Sequence, residues 1–326
     1  VEKKNISLKQ NFTQNMQLTE ASEELQEVVV TDKKLDQNLQ TTEMSVSELT
    51  AKEIKRIPQF LGEVDIIRTL TLLPGISVVG EGANGFNVRG GNVDQNLILI
   101  DDAPIFSSSH LFGFFSIFNG DAVKDVKIYK GSMPAQYGGR LSSVLDVRQK
   151  DGNNQNFSGT GGIGLLSTRL LLEAPIIKDK MSFMVAGRRS YQDVFFGLST
   201  QPELKNTVLY FYDFNAKLNY IINDKHRIYI SAYYGRDVFG ATDLFNFGWG
   251  NGTTTVRWNY LISPKLFMNT TFAYSDYNYN IGTPDDEIAP FNWDSRIRNY
   301  VGKTDFTYYY NLRHKLNFGA EATYYK

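Results

Sequence analysis

The sequence predicts a two-part molecule: a small mixed α/β domain followed by antiparallel strands of a transmembrane β-barrel. Three observations carry that reading. Between Gly82 and Lys150, short β-branched runs at residues 97–100, 126–129 and 144–147 alternate with glycine-bearing turns, the pattern of a small sheet with tight corners. From Val208 onward the side chains alternate. Val208, Tyr210, Tyr212, Phe214, Ala216, Leu218 and Tyr220 form one apolar face, and Asp213, Asn215, Lys217 and Asn219 lie on the other. Finally, short turns alternate with longer connections along the second half of the chain.

Composition narrows the function. The formal net charge is −1 and the pI about 6.4, which gives no reason to expect nucleic acid as a partner. Mean hydropathy is −0.31, and no apolar run approaches the roughly 20 residues of a spanning helix. That excludes a membrane helix and leaves a barrel open, because barrel strands dilute their hydrophobicity by alternating. Aromatics are 13% of the chain, and the tyrosines and tryptophans near strand ends suit the aromatic girdles of such a barrel. There is no cysteine, so disulfide and thiol chemistry are absent from these residues. Val1 is not an initiator methionine and no signal-peptide pattern follows it, so the sequence reads as a segment of a longer, processed chain.

Residues 1–24 are polar, with only a weak alternation at Ile6, Leu8, Met16 and Leu18. Residues 25–46 contain Glu27, Val28, Val29, Val30 and Thr31, whose three consecutive valines favour an extended backbone. An ordinary edge strand and a segment that adds to a partner's sheet edge both fit this run.

Residues 47–150 form the small domain. Thr50 and Glu53 predict a capping box that opens a helix ending before Pro58. A second helix is predicted over Glu63–Leu72, with Val64, Ile67 and Leu70 on one face, closing at Pro74-Gly75. Arg89 precedes Gly90-Gly91, and Gly138-Gly139 precede Arg140. Neither turn opens a helix or carries a P-loop lysine, so phosphate binding has little support. The arginines are either held by carboxylates elsewhere in the fold or are unrelated surface residues. Asp101 and Asp102, read as strand neighbours, point to opposite faces. His110, His226 and His314 lie on separate segments, which argues against a metal site. No catalytic constellation is present, so the sequence predicts neither an enzyme nor a cofactor.

Residues 151–326 repeat the alternation about nine times, starting with a pair near 158–165 and 167–174. A soluble sandwich would also show one apolar face. The connections favour a barrel. Turns near Ile177–Lys180, Asn223–His226, Ser263–Lys265 and Asn311–His314 are short, whereas about Tyr191–Asn206, Phe239–Gly252 and Thr283–Trp293 are expected to be long loops. Barrels of bacterial single chains have even strand numbers, and plugged transporters have about 22. An open edge in lipid is not viable, so the remaining strands are expected outside this sequence.

The succession LPGI, FNVRGG, LILIDDAPI, SSHLFGFFSIFN, VKDVKIYKG and AQYGGRLSSVLDV closely resembles the plug domain of TonB-dependent outer-membrane receptors. The resemblance implies a plugged barrel in the outer membrane of a Gram-negative bacterium. Glu27, Val28, Val29, Val30 and Thr31 resemble the TonB box, the segment that TonB, with its inner-membrane motor, would grip. Residues 1–24 resemble the tail of a carboxypeptidase-regulatory-like domain. Arg89 and Arg140 match the family's plug arginines, which lock against glutamates of the barrel wall. Ligand contacts are expected from the plug apex, with His110, Phe112, Phe114 and Phe115, and from a barrel loop with Phe245, Phe247 and Trp249. Those aromatics suit stacking on a sugar or aromatic ligand, contact with a neighbouring protein, or simple packing. Two functions follow: an energised importer of a nutrient or chelate, or a non-transporting scaffold for lipoproteins or other outer-membrane machinery. Lipid is the remaining expected partner.

Overall fold

Thr50 ends the first strand and starts the first helix. In the computed structural model, which describes residues 45–57, 63–78, 85–241, 244–283, 290–311 and 313–326, strand β1 spans Val46–Thr50 and helix α1 Ala51–Ile54. The Thr50 hydroxyl accepts from the Glu53 backbone N–H at 3.4 Å while the Glu53 carboxylate accepts from that of Thr50 at 2.8 Å, the capping box that the sequence predicts. Helix α2 covers Ile66–Thr71, shorter than the predicted Glu63–Leu72. Asp65 caps it by accepting from the Arg68 N–H at 2.9 Å, which leaves Glu63 and Val64 outside the helix.

Strands β2 (Ile76–Val78) and β3 (Phe86–Val88) pair with each other. There follow β4 (Asn96–Ile100), β5 (Ala103–Ile105), β6 (Ser109–His110), β7 (Phe115–Ser116), β8 (Val123–Tyr129) and β9 (Ser143–Gln149). The main sheet has the order β1-β8-β9-β4-β5; β4 and β9 are parallel and the other neighbours antiparallel. Ile66, Leu70, Phe86, Phe118, Ile128 and Leu145 are fully buried between this sheet and α2. That core is what a soluble domain of this size requires.

Asp101 and Asp102 are not strand neighbours. With φ of 46° and 71°, they are the two central residues of the β4–β5 hairpin, and positive φ at both is the mark of a type I′ turn. The turn carries both carboxylates past the end of the two strands, where Asp101 is buried against the second half of the chain.

The second half is a nine-stranded antiparallel meander among the described residues. Its strands are β10 (Ser158–Ile163), β11 (Ser167–Ile177), β12 (Met181–Ser190), β13 (Thr207–Asn223), β14 (His226–Ala241), β15 (Phe245–Ser263), β16 (Leu266–Gly282), β17 (Asn292–Asn311) and β18 (His314–Tyr325). Two of the short turns share a device: the side-chain carbonyl of Asn223 accepts from the N–H of Lys225 and His226, and Asn311 does the same for Arg313 and His314. The first long connection holds helices α3 (Gln192–Gly197) and α4 (Pro202–Lys205). The loop expected at Phe239–Gly252 is not one. Strands β14 and β15 run through it to Ala241 and from Phe245, pairing Phe239 with Phe247 and Asp237 with Trp249. The Phe-x-Phe-x-Trp alternation of residues 245–249 is a strand period that the neighbouring glycines disguise.

Burial on this sheet is inverted. On β13 the buried residues are Phe211, Asp213, Asn215, Lys217 and Asn219, whereas Val208 and Phe214 are exposed. On β16 the outward Phe272 is 63% exposed, while Thr271, Ala273 and Ser275 are buried. The apolar face points away from the small domain and the polar face packs on it.

Candidate functional site

The inner face of the sheet meets the small domain through polar groups. Asn251 holds Ser107 in both directions, its amide donating to the Ser107 carbonyl at 2.9 Å and its carbonyl accepting from the Ser107 N–H at 3.4 Å. Ser275 donates to the Pro104 carbonyl at 2.5 Å. The two hairpin aspartates each meet a cation of the sheet. Asp101 accepts from Lys217 Nζ at 3.0 Å. Asp102 takes both guanidinium arms of Arg148 at 2.8 Å and lies 3.4 Å from Arg257. Burial pushes the Asp102 carboxyl upward, but Arg148 and Arg257 outweigh it and hold the group well below the usual carboxylate range. Lys217 also reaches Asp151, just past β9, at 3.1 Å. Burial raises the Asp151 carboxyl, and Lys217 with Lys124 brings it down to about 2.

Farther along the same face runs a second series of charges. Arg188 donates to Asp213 at 2.8 Å and to the Ser116 carbonyl at 2.8 Å, and lies 3.6 Å from Glu63. Glu63 also accepts from the Ser167 hydroxyl. Arg169 bridges Glu63 at 3.5 Å and Asp121 at 2.8 Å, and Lys55 closes the series on Asp121 at 2.6 Å. Burying so many charges is tolerable only because each meets an opposite partner.

Above this network lies the loop between β6 and β7, residues 111–114. Leu111, Phe112 and Gly113 all have positive φ, at 48°, 57° and 97°, a costly conformation for the first two. It projects the Phe112 ring among inward-facing aromatics of the sheet: Trp249 at 4.9 Å, Phe239 at 5.4 Å and Phe247 at 5.9 Å between ring centroids. Phe245 joins through Phe239 at 5.1 Å, and Tyr279 through Phe247 at 6.4 Å.

The expected ligand-facing residues thus divide. Phe112, Phe245, Phe247 and Trp249 come together in one cluster. Phe114 is exposed beside them. His110 and Phe115 are buried below, both against Phe211, with His110 stacked at 4.3 Å. Arg89 sits at a positive φ of 49° and donates to the Ser45 hydroxyl at 2.9 Å. Arg140 donates to its neighbour Gly139 at 2.9 Å and lines a recess with Tyr137, Lys303 and Glu321. Neither arginine meets a carboxylate among the described residues. The run Glu27–Thr31 lies outside the described residues. Sequence reading gave no site role to Asp237, Asp213, Arg188 or Phe239, although the parity of each on its strand marks it as inward-facing.

A family model described as the TonB-dependent receptor plug domain matches residues 38–144. The chain carries the plug domain of TonB-dependent receptors. The small domain is their plug, and the curved sheet is a run of outer-membrane barrel strands wrapped against it. Solved structures agree on the fold. The ferric enterobactin receptor PfeA of Pseudomonas aeruginosa, as a double mutant, is 16% identical with a TM-score of 0.64 over 86% of this chain and 49% of its own. The siderophore receptor PirA of Acinetobacter baumannii is 15% identical, with a TM-score of 0.63 over 86% and 48%. The copper transporter OprC is 15% identical, with a TM-score of 0.64 over 86% and 45%. No curated protein matches the chain. It spans about half the length of the receptors it resembles. The class consists of outer-membrane receptors rather than enzymes, and the outward apolar face of the strands is the face that meets lipid.

Proposed function

We propose that this protein is an energised importer that takes up a nutrient or chelate carrying a flat apolar face, such as an aromatic chelate or a sugar ring. The observation that carries the proposal is the seat of Phe112. The plug spends a strained backbone to present one aromatic ring to three inward-facing aromatics of the barrel, at the level of the wall nearest the long connections. Stacking surfaces of this kind recognise planar ligands by their faces. The siderophore and copper receptors of like fold support import across the outer membrane as the general activity.

In this reading residues 1–24 belong to an upstream regulatory-like domain or linker, residues 25–46 carry the TonB box, residues 47–150 are the plug and residues 151–326 begin the barrel. TonB grips Val28, Val29 and Val30 by strand addition, and the polar lead gives the segment reach. Arg89 and Arg140 lock the plug through glutamates on strands beyond this chain.

Growth on a panel of aromatic iron chelates and oligosaccharides, each as sole source, tests the proposal in the full-length receptor. Phe112→Ala lowers affinity for the imported compound about 2- to 10-fold, the worth of one aromatic pair. Val29→Pro abolishes uptake while the barrel still folds. Unchanged uptake in Val29→Pro removes the TonB-box assignment, and growth on no member of the panel favours the scaffold function.

A further inference from the structure

The plug apex is fastened to the barrel by one histidine and two carboxylates. His110 donates from Nδ1 to Asp237 at 2.6 Å, and its Nε2 faces Asp213 at 3.5 Å and the Tyr233 hydroxyl at 3.4 Å. The other oxygen of Asp237 accepts from the Leu111 N–H at 2.7 Å. Asp237 therefore holds the apex twice, at the side chain before the strained turn and at the backbone within it. His110, Asp213 and Asp237 are all buried, and Phe211 covers the imidazole face.

The charges around this contact are unevenly matched. Arg188 of β12 serves Asp213 of β13 and, from the plug side, Glu63. Tyr233 and Asp237 come from β14, and Trp249 of β15, adjacent to Asp237 in register, is neutral. Among the described residues the sole cation paired with Asp237 is His110. A neutral imidazole has one N–H and can donate to only one of its two carboxylates; the imidazolium donates to both. Without that second proton Asp237 becomes a buried carboxylate lacking a counter-charge, a strongly unfavourable arrangement.

We propose that His110 is a proton-operated latch: as the imidazolium it clamps the plug apex to Asp237 and Asp213 and seats Phe112 among the wall aromatics, and loss of its proton frees the apex. The latch concerns the apex alone and holds whether the receptor transports or scaffolds. Burial opposes the charged ring, but Asp237 and Asp213 together outweigh it and keep the His110 pKa above the ordinary histidine value. The sign follows. A group whose folded pKa is raised contributes fully below its unfolded value and loses the contribution as pH rises through the folded one. The apex is thus latched at acidic and neutral pH and released on the alkaline side.

The test is a spin label on Phe114→Cys, an exposed apex position outside the latch, in the full-length receptor with any other cysteine replaced by serine and held in detergent. The label is immobile at neutral pH, and the immobile component is lost as pH rises while the barrel keeps its folded, heat-modifiable migration. His110→Gln removes the transition and leaves the label mobile throughout. A label whose mobility is flat with pH in the otherwise native receptor, or a His110→Gln variant that keeps the native transition, overturns the proposal. Should His110→Gln fail to fold, nitrogen NMR of histidine-labelled receptor decides, with the remaining histidines assigned by substitution. A His110 resonance titrating above the ordinary histidine value supports the latch, and one titrating at or below that value overturns it.

Discussion

The plug and the barrel wall solve burial in opposite ways with the same residues. In the plug, Ile66, Leu70, Ile128 and Leu145 are hidden, and charges such as Lys127 and Glu48 lie at the surface. On the wall, Phe272, Phe214 and Leu316 are exposed, and Asp213, Lys217 and Asn219 are hidden. The difference is the solvent. Water drives the apolar residues of the plug together. Lipid offers apolar side chains no such incentive, and the wall's polar face instead finds its partners on the plug. Buried charges concentrate at the joint between the two domains, beside apolar contacts such as Phe211 on Phe115, whereas the inside of the plug is chiefly apolar.

Substitutions on either side of that joint test the contrast. The largest effect is expected at Arg188→Leu, which leaves His110 and Arg169, each at 3.5 Å, as the cations beside the buried Asp213 and Glu63 and costs about 3–5 kcal/mol. Denaturant titration that follows the plug, with barrel migration on gels as a second signal, should show the plug released from an intact barrel. Leu145→Ala in the plug core should cost about 2–5 kcal/mol and unfold the plug alone. On the wall, Phe272→Ala should leave plug stability unchanged. Phe272→Arg near mid-strand should cost about 2–4 kcal/mol of barrel stability, read by refolding into vesicles. The smallest effect is a pH dependence. Because Arg148 and Arg257 depress the Asp102 pKa, Asp102 stabilises the joint above its unfolded value of about 4 and loses the contribution as pH falls through the folded one. The wild type should weaken at strongly acidic pH, and Asp102→Asn should lack that component.

Much of this was legible in the chain. Strand alternation announces which face of β13 to β16 meets lipid, because lipid and lumen impose a period of two on every residue between them. The capping box at Thr50 is local chemistry and survives folding unchanged. What escaped is long-range. Asp237 reads as one polar residue among several on β14, and its meaning depends on His110, which lies 127 positions earlier. The Asp101-Asp102 pair looked like strand because hydrophobic runs flank it, although Asp-Asp can adopt the positive φ of a hairpin turn. The residues singled out for the apex separated only when the strained turn sent Phe112 upward and left His110 and Phe115 below. Sequence spacing does not encode that rotation.

The order β1-β8-β9-β4-β5 also sets how the plug responds to load. At one edge, β5 lies against the wall, where Ser275 takes hold of Pro104 and Asn251 of the adjoining Ser107. At the other edge, β1 is joined to the sheet only through β8, along five residue pairs, and the chain enters the plug through that strand. Tension arriving from the N-terminal side therefore meets an outermost strand first, one held to the sheet by a single neighbour. The four strands behind it remain a sheet without it, moored to the wall at the far edge and at Asp151. Under the proposed import function, that arrangement predicts a plug that unzips from one margin rather than leaving as a block.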